Sequence, residues 1–319
     1  MKKFLIQLGI FFIPFIFILT ISDYIVTKGL QKTKSGDYKE WNEIYSGNIN
    51  ADIIINGSSR AWVHVSPKIL DSILYVNSYN LGIDGHNFYM QYCKFCEYLQ
   101  YNNKPKIIIQ TLDIFTLAKR NDLYNYQQFF PYIYKSRIRK VTKTYKGFTN
   151  MDYNLPFYRY HNSSEIIKIG FDEFFTTTNL DNGKYKGYLG IVKDWDNTFD
   201  EYKKANPKGV ITDLDKESIE LMDTFLNNCK NDNINVILVY SPEYIENQYL
   251  TNNRDEIFKI YNDFAIKYDI DFFDYSKDTI SYQKKYFYNS QHLNKEGAEL
   301  FTEKLANDIK TKRITYNMR

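Results

Sequence analysis

The chain opens on apolar residues with scarcely a polar break and then changes its pattern. After Met1-Lys2-Lys3, the run "FLIQLGIFFIPFIFILTIS" spans Phe4 to Ser22, with Gln7 its most polar side chain before the end. About twenty apolar residues suffice to cross the hydrocarbon core of a bilayer as a helix, so residues 1–27 are predicted to form a membrane-spanning segment. A cleaved signal peptide would end on small residues in an A-x-A-like pattern. Here the run continues as Ile21-Ser22-Asp23-Tyr24-Ile25-Val26, which predicts an uncleaved anchor. Lys2 and Lys3 favour a cytoplasmic amino terminus, while Lys28, Lys32 and Lys34 on the far flank weigh against it. The rest of the chain is thereby expected on the extracytoplasmic side of the cytoplasmic membrane. Residues 28–50 are polar and read as a stalk.

Beyond the stalk, short apolar runs alternate with amphipathic stretches. "ADIIING" (51–57), "PKIIIQTLD" (105–113), "NVILVYSP" (235–242) and "IDFFDYS" (270–276) are apolar runs bounded by turn residues, the signature of buried strands. "YVNSYNLGIDG" (75–85) reads as a short strand leaving into a glycine-rich loop. Between them lie stretches of helical period: "SPKILDSIL" (66–74), with proline at the first helical position, then residues 86–102, "SIELMDTFLNNCKND", "RDEIFKIYNDFAIKYD" and the closing "NKEGAELFTEKLANDIK" (294–310). Strand–helix alternation with short connections predicts an α/β fold: a three-layer α/β/α sandwich around a mostly parallel sheet, flavodoxin-like, over residues 51–315. Residues 116–215 break the rhythm and are rich in Tyr, Phe, Asn and Lys; they read as an inserted cap over the carboxyl edge of the sheet.

Composition narrows the function classes. The 319 residues are 44% hydrophobic and 25% charged with a net charge of +3, which gives no global reason to expect nucleic acid as a partner. The segment "YKSRIRKVTKTYK" (134–146) concentrates basic side chains and reads first as a solvated helix face, second as a contact for anionic headgroups or an acidic polymer. Three cysteines make no complete disulfide framework, and Cys93 and Cys96 fall mid-helix, where thiols act as small hydrophobes. No cysteine or histidine cluster calls for a metal, and no cofactor is expected.

Two stretches at strand ends carry candidate chemistry. The first strand runs into "NGSSR" (56–60), two adjacent hydroxyls at the carboxyl end of a strand, where open α/β sheets place their sites. Of four histidines, His292 precedes the last helix in "YFYNSQHLNKEGAELF". A serine hydroxyl needs an adjacent imidazole to take its proton, and the oxyanion formed on attack needs preorganised N–H donors. The loop "NLGIDGHN" (80–87) offers such donors. His86 follows that loop and reads as a surface residue at a helix start, while His64 and His161 have no supporting context.

"NGSSR", "NLGIDG" and "NSQHLN" resemble blocks I, II and V of the SGNH/GDSL hydrolase-like superfamily. They resemble more closely its membrane-anchored bacterial branch, which includes D-alanyl transfer and alginate acetylation proteins. The resemblance covers roughly residues 51–113 and 235–310. It implies Ser59 as nucleophile, His292 as base, and Gly85 as an oxyanion donor. It also implies a cell-envelope glycan as partner, a membrane-bound acyltransferase beside it, and esterase or O-acyltransferase activity on acyl esters. Two positions depart from the pattern. Asn289 stands where block V has Asp, and an amide cannot compensate the charge on an imidazolium; in serine proteases that exchange costs about 10⁴ in kcat. Leu112 stands where block III has its oxyanion Asn, a loss worth on the order of 10² to 10³ in rate. Asp113 or Asp274, at strand ends, are candidates to compensate. The competing expectation is a catalytically weakened glycan-binding or assembly protein that keeps the fold.

Overall fold

The computed structural model describes residues 2–176 and 183–312. In chain order the helices are α1 (Lys2–Leu30), α2 (Tyr38–Ser46), α3 (Ser59–His64), α4 (Pro67–Leu74), α5 (Phe88–Tyr101), α6 (Ser136–Thr142), α7 (Asn150–Asn154), α8 (Ser164–Phe175), α9 (Thr198–Ala205), α10 (Lys216–Asn231), α11 (Ile245–Gln248), α12 (Arg254–Tyr268) and α13 (Lys295–Thr311). The strands are β1 (Ile53–Asn56), β2 (Ser78–Asn80), β3 (Ile107–Leu112), β4 (Asn235–Tyr240), β5 (Asp271–Asp274), β6 (Phe287–Asn289) and β7 (His292–Leu293). The chain divides into two compact units, one of residues 1–43 with 121–182, the other of 44–120 with 183–319.

The larger unit is built on the sheet. β1 to β5 pair in parallel, as the alternation of elements led one to expect, and their order β2-β1-β3-β4-β5 is that of a flavodoxin-like sheet. The isoleucine triplets align residue for residue, Ile53 with Ile107, Ile54 with Ile108 and Ile55 with Ile109. Each triplet is fully buried because successive side chains face opposite sides of a sheet covered on both. On one side Ile53, Ile55, Ile107, Ile109, Ile237 and Val239 pack with Phe301, Leu305 and Ile309 of α13. On the other, α5 meets α10 through Phe88 and Phe95 against Phe225, with ring centroids 5.5 and 5.6 Å apart. The order reverses direction at β1 and β3, so their carboxyl ends form the switch point where open α/β sheets bind their ligands.

The smaller unit gathers α1 with α6, α7 and α8, and the stretch expected as one inserted cap, 116–215, is divided between the two units. Within the expected stalk, residues 38–46 are helical. Trp41 is fully buried against Phe129 and Tyr132, donating Nε1–H to Gln128 Oε1 at 3.1 Å. α1 crosses α8 at two glycines: a Cβ on Gly29 would lie 1.6 Å from the Gly170 carbonyl oxygen, so the backbones touch there. Among the described residues one helix, within Ile10–Leu30, is long and apolar enough to cross a membrane.

Candidate active site

The site grows from the end of β1. Gly57 leaves the strand where a Cβ would stand 2.0 Å from Thr111 Oγ1 and 2.9 Å from Ala61 Cβ, so only glycine fits between β3 and α3. Ser58 then caps α3: its Oγ accepts from Arg60 N at 3.3 Å and donates to Asp113 Oδ2 at 2.6 Å. Ser59 is thereby fixed as the first residue of the helix. Its Oγ lies 2.8 Å from His292 Nε2, across 233 positions of sequence.

His292 is held by a small hairpin. β6 and β7 pair antiparallel, which brings Asn289 opposite His292, whereas the sequence suggested only a loop. Asn289 Oδ1 accepts from Gln291 N at 3.0 Å, His292 N at 2.9 Å and His292 Nδ1 at 3.0 Å. Two backbone N–H groups identify that atom as the oxygen, so the ring proton sits on Nδ1 and Nε2 is left to accept from Ser59. Burial pushes the His292 imidazolium down to about pKa 4, and the nearby Arg60 guanidinium adds to the shift. The ring is therefore a neutral base across the physiological range. Tyr288 stacks on it with centroids 5.4 Å apart and planes within 6°.

Beneath Ser59 runs a buried network that the sequence did not reveal. Arg60 donates Nη1–H to Glu243 Oε2 at 3.1 Å and Nε–H to Ser241 Oγ at 3.2 Å, and Nη2 donates to the Ser241 carbonyl. Glu243 also accepts from Arg254 Nη1 at 2.9 Å and from the Tyr240 hydroxyl at 2.5 Å. His64, fully buried, has Nδ1 2.7 Å from Ser241 Oγ, and its Nε2 accepts from Leu293 N at 2.9 Å. It ties α3, the end of β4 and the His292 hairpin together as a positioning residue. Burial holds it well below the usual histidine range. The only sequence signal for this network was Ser241-Pro242-Glu243 at the end of β4, where the topology already places functional groups.

The remaining predicted residues fall as follows. Gly85 lies in the loop after β2 at φ +69°, and Arg120 Nη1 donates to its carbonyl. That loop is tied to the end of β1 by Ile83 N donating to the Gly57 carbonyl at 3.0 Å. Asn80 braces the same region, donating Nδ2–H to the Ala61 and Val65 carbonyls and accepting from Gly82 N. Asp113 engages Ser58 and Phe115 N, and Asp274 accepts from Ser276 N, so His292 takes its orienting bond from Asn289 and from neither carboxylate. Leu112 is buried at the end of β3. His86, expected on the surface, is buried beside the start of α5, while His161 is exposed and stacks on Tyr158. Among the described residues no cluster of His, Cys, Asp or Glu is set to ligate a metal.

Solved structures with a related course of the chain include GDSL-type proteins. A protein assigned to the G-D-S-L lipolytic family from Desulfitobacterium hafniense DCB-2 is 12% identical at TM-score 0.40, the likeness covering 80% of this chain and 97% of that one. A GDSL-like lipase from Bacteroides thetaiotaomicron VPI-5482 is 12% identical at TM-score 0.35, covering 91% and 98%. No family model and no curated protein matches the sequence. The chemistry below is argued from the residues of this chain.

Proposed function

We propose that the protein is a membrane-anchored serine esterase or O-acyltransferase of SGNH type, acting on acyl esters, acetyl foremost, of a cell-envelope polysaccharide. The observation that carries the reading is the relay Ser59 Oγ–His292 Nε2 at 2.8 Å and His292 Nδ1–Asn289 Oδ1 at 3.0 Å, at the switch point of the sheet. Ser59 attacks the acyl carbonyl as its proton passes to Nε2; the C–O bond of the ester breaks, and the leaving alcohol takes that proton from the imidazolium. A glycan hydroxyl or water then attacks the acyl-serine with His292 again as base, and Ser59 leaves protonated. The N–H of Ser59 and that of Gly85 are assigned to the oxyanion.

The anchor reading is supported by α1. Its side chains are exposed from Ile10 to Phe17 and at Ile21, whereas Asp23, Val26 and Leu30 are buried in the smaller unit. Asp23 holds Arg159 through two bonds of 2.6 and 2.8 Å, so a cut after Ser22 or later would free a terminus inside or beside a folded contact. Lys2 and Lys3 favour a cytoplasmic amino terminus and so support an extracytoplasmic main domain, and a membrane-bound acyltransferase is the acyl donor such an arrangement would suit.

A second reading, a glycan-binding or assembly protein of the same fold, is favoured by Asn289, an amide where a carboxylate would carry charge. Labelling with a fluorophosphonate separates the two. Wild type labels and Ser59→Ala does not if the relay works; absence of label on folded wild type would remove the enzyme reading.

A further inference from the structure

We propose that Tyr288 is a positioning residue whose ring face stabilises the imidazolium of His292 as it takes the proton of Ser59, an inference that rests on the enzyme reading above. The Tyr288 ring lies parallel to that of His292, with centroids 5.4 Å apart and planes within 6°. The face of a phenol ring carries negative potential, and a cation within about 6 Å of its centroid is attracted to it. Neutral His292 draws little from that face. The imidazolium formed during attack draws more, so the contact strengthens as the proton moves, and only such a difference speeds a step.

The charges around His292 show why the face matters. Asn289 Oδ1 accepts from Nδ1 but carries no charge. Arg60 opposes the imidazolium, and Asp196 favours it. Yet Asp196 Oδ1 already accepts from Thr198 N at 3.1 Å and from Thr198 Oγ1 at 2.5 Å, and its Oδ2 pairs with Lys193 at 3.3 Å. His64 meets the His292 ring edge to face, with centroids 6.1 Å apart and planes at 80°, and burial keeps it neutral. Tyr288 has no charge of its own to offer, because burial, with Asp84 and Asp196 nearby, pushes its phenol up. The ring therefore acts by its face and not as a phenolate. Its place is fixed by the hairpin, and its carbonyl accepts from Asp196 N at 2.9 Å. Lys193 Nζ, 5.9 Å from the Tyr288 centroid, is held by Asp196 and reaches into water.

The test measures kcat and KM of the full chain on a small aryl acetate. Wild type is compared with Tyr288→Phe, Tyr288→Leu and Tyr288→Met, each also combined with Asn289→Asp. Tyr288→Phe keeps the face and is expected within about twofold of wild type. Tyr288→Leu and Tyr288→Met should each lose roughly tenfold in kcat with KM nearly unchanged. Beside Asn289→Asp, where a carboxylate meets the imidazolium, the same losses should shrink to about twofold. Leu and Met are both measured, so one variant that fails to fold leaves the other. Wild-type rates in the folded Tyr288→Leu or Tyr288→Met variant overturn the proposal. An equal loss in Tyr288→Phe overturns it in favour of the hydroxyl, and losses undiminished beside Asn289→Asp overturn it in favour of packing alone. Fluorophosphonate labelling of the same preparations keeps the two readings apart: wild type that does not label at Ser59 fails as an enzyme, whereas labelled wild type whose rate ignores the ring fails only here.

Discussion

Asn289 concentrates the chemistry of the site in one oxygen. Because His292 Nδ1 and two backbone N–H groups all point at Oδ1, an aspartate there would accept the same three bonds and add a charge. Asn289→Asp is therefore expected to raise the initial rate on a small aryl acetate by ~10² or more, since imidazolium formation gains a counter-charge. Equal rates in wild type, Asn289→Asp and Ser59→Ala would remove esterase chemistry on that substrate class. The pH profile gives a second measure. With His292 at about 4, the wild-type base stays neutral well below pH 6, so kcat/KM should hold on the acid side until the pH nears that value. The added carboxylate raises the imidazolium pKa, and the acid limb of Asn289→Asp should move upward; an unmoved limb would mean that His292 is not the base. At this scale Ser59, Asn289 and His292 could be named because the short blocks around them resemble a family's motifs, although Ser59 and His292 stand 233 positions apart. Arg60–Glu243 and His64–Ser241, 183 and 177 positions apart, could not, because no local motif marks a buried pair.

At the scale of elements, contacts too close for a side chain mark where the architecture has no slack. Gly57→Ala must push Thr111 and Ala61 away from the turn into α3, and strain of this kind costs about 1–3 kcal/mol. It should lower the urea midpoint and the rate together, with Ser59 displaced from His292; a variant of unchanged midpoint would show that the turn relaxes freely. His64 couples three elements through one neutral ring. Both His64 and His292 titrate lower in the folded chain than in the unfolded one, so the unfolded chain takes up protons first as the pH falls. Their contribution to stability is complete above about pH 6.5 and is lost on acidification through the folded values, at about 1.4 kcal/mol per pH unit for each ring. Urea midpoints between pH 6.5 and 4.5 should fall less steeply for His64→Asn than for wild type, and parallel slopes would contradict the assignment. The central strands were legible because short apolar runs bounded by turn residues have few alternatives. The β6–β7 hairpin was not: three residues and two are too short to carry a period, and Asn289's side chain supplies bonds that no alternation records.

For the whole molecule, the side chains of α1 are exposed from Ile10 to Phe17 and buried at Asp23, Val26 and Leu30, and the point of change can be located by truncation. Removing residues 1–22 leaves the buried contacts of α1 from Asp23 onward in place and should release a soluble, folded protein that still labels at Ser59. Removing residues 1–30 takes away Asp23, Val26, Gly29 and Leu30 as well, leaving Arg159 buried without its carboxylate, a loss of about 3–5 kcal/mol for the smaller unit. That product is expected to aggregate or to be cleaved within 121–176 under mild proteolysis. If both truncations behaved alike, α1 would end its structural role at the membrane. The apolar run was plain in the sequence, but its second role was not, since a 3–4-residue spacing of Asp23, Val26 and Leu30 is hidden inside a helix apolar on every side. The aromatic middle of the chain was equally opaque, because its burial comes from single large rings such as Phe129 and Tyr160 and not from a repeating face.

The shared oxygen of Asn289 has a practical consequence for anyone measuring this protein. Asn289 is followed by Ser290, a small residue, in a tight turn between two short strands. Hydrolysis of its side-chain amide, consuming water and releasing ammonia, would write the aspartate into the site with no change of gene. If the carboxylate is worth ~10² in rate, a preparation in which about 1% of molecules had aged in this way would draw as much turnover from them as from all the rest. A weak wild-type esterase rate then has meaning only beside an intact-peptide mass for residues 288–292, and a rate that climbs on storage at alkaline pH would report the age of the sample.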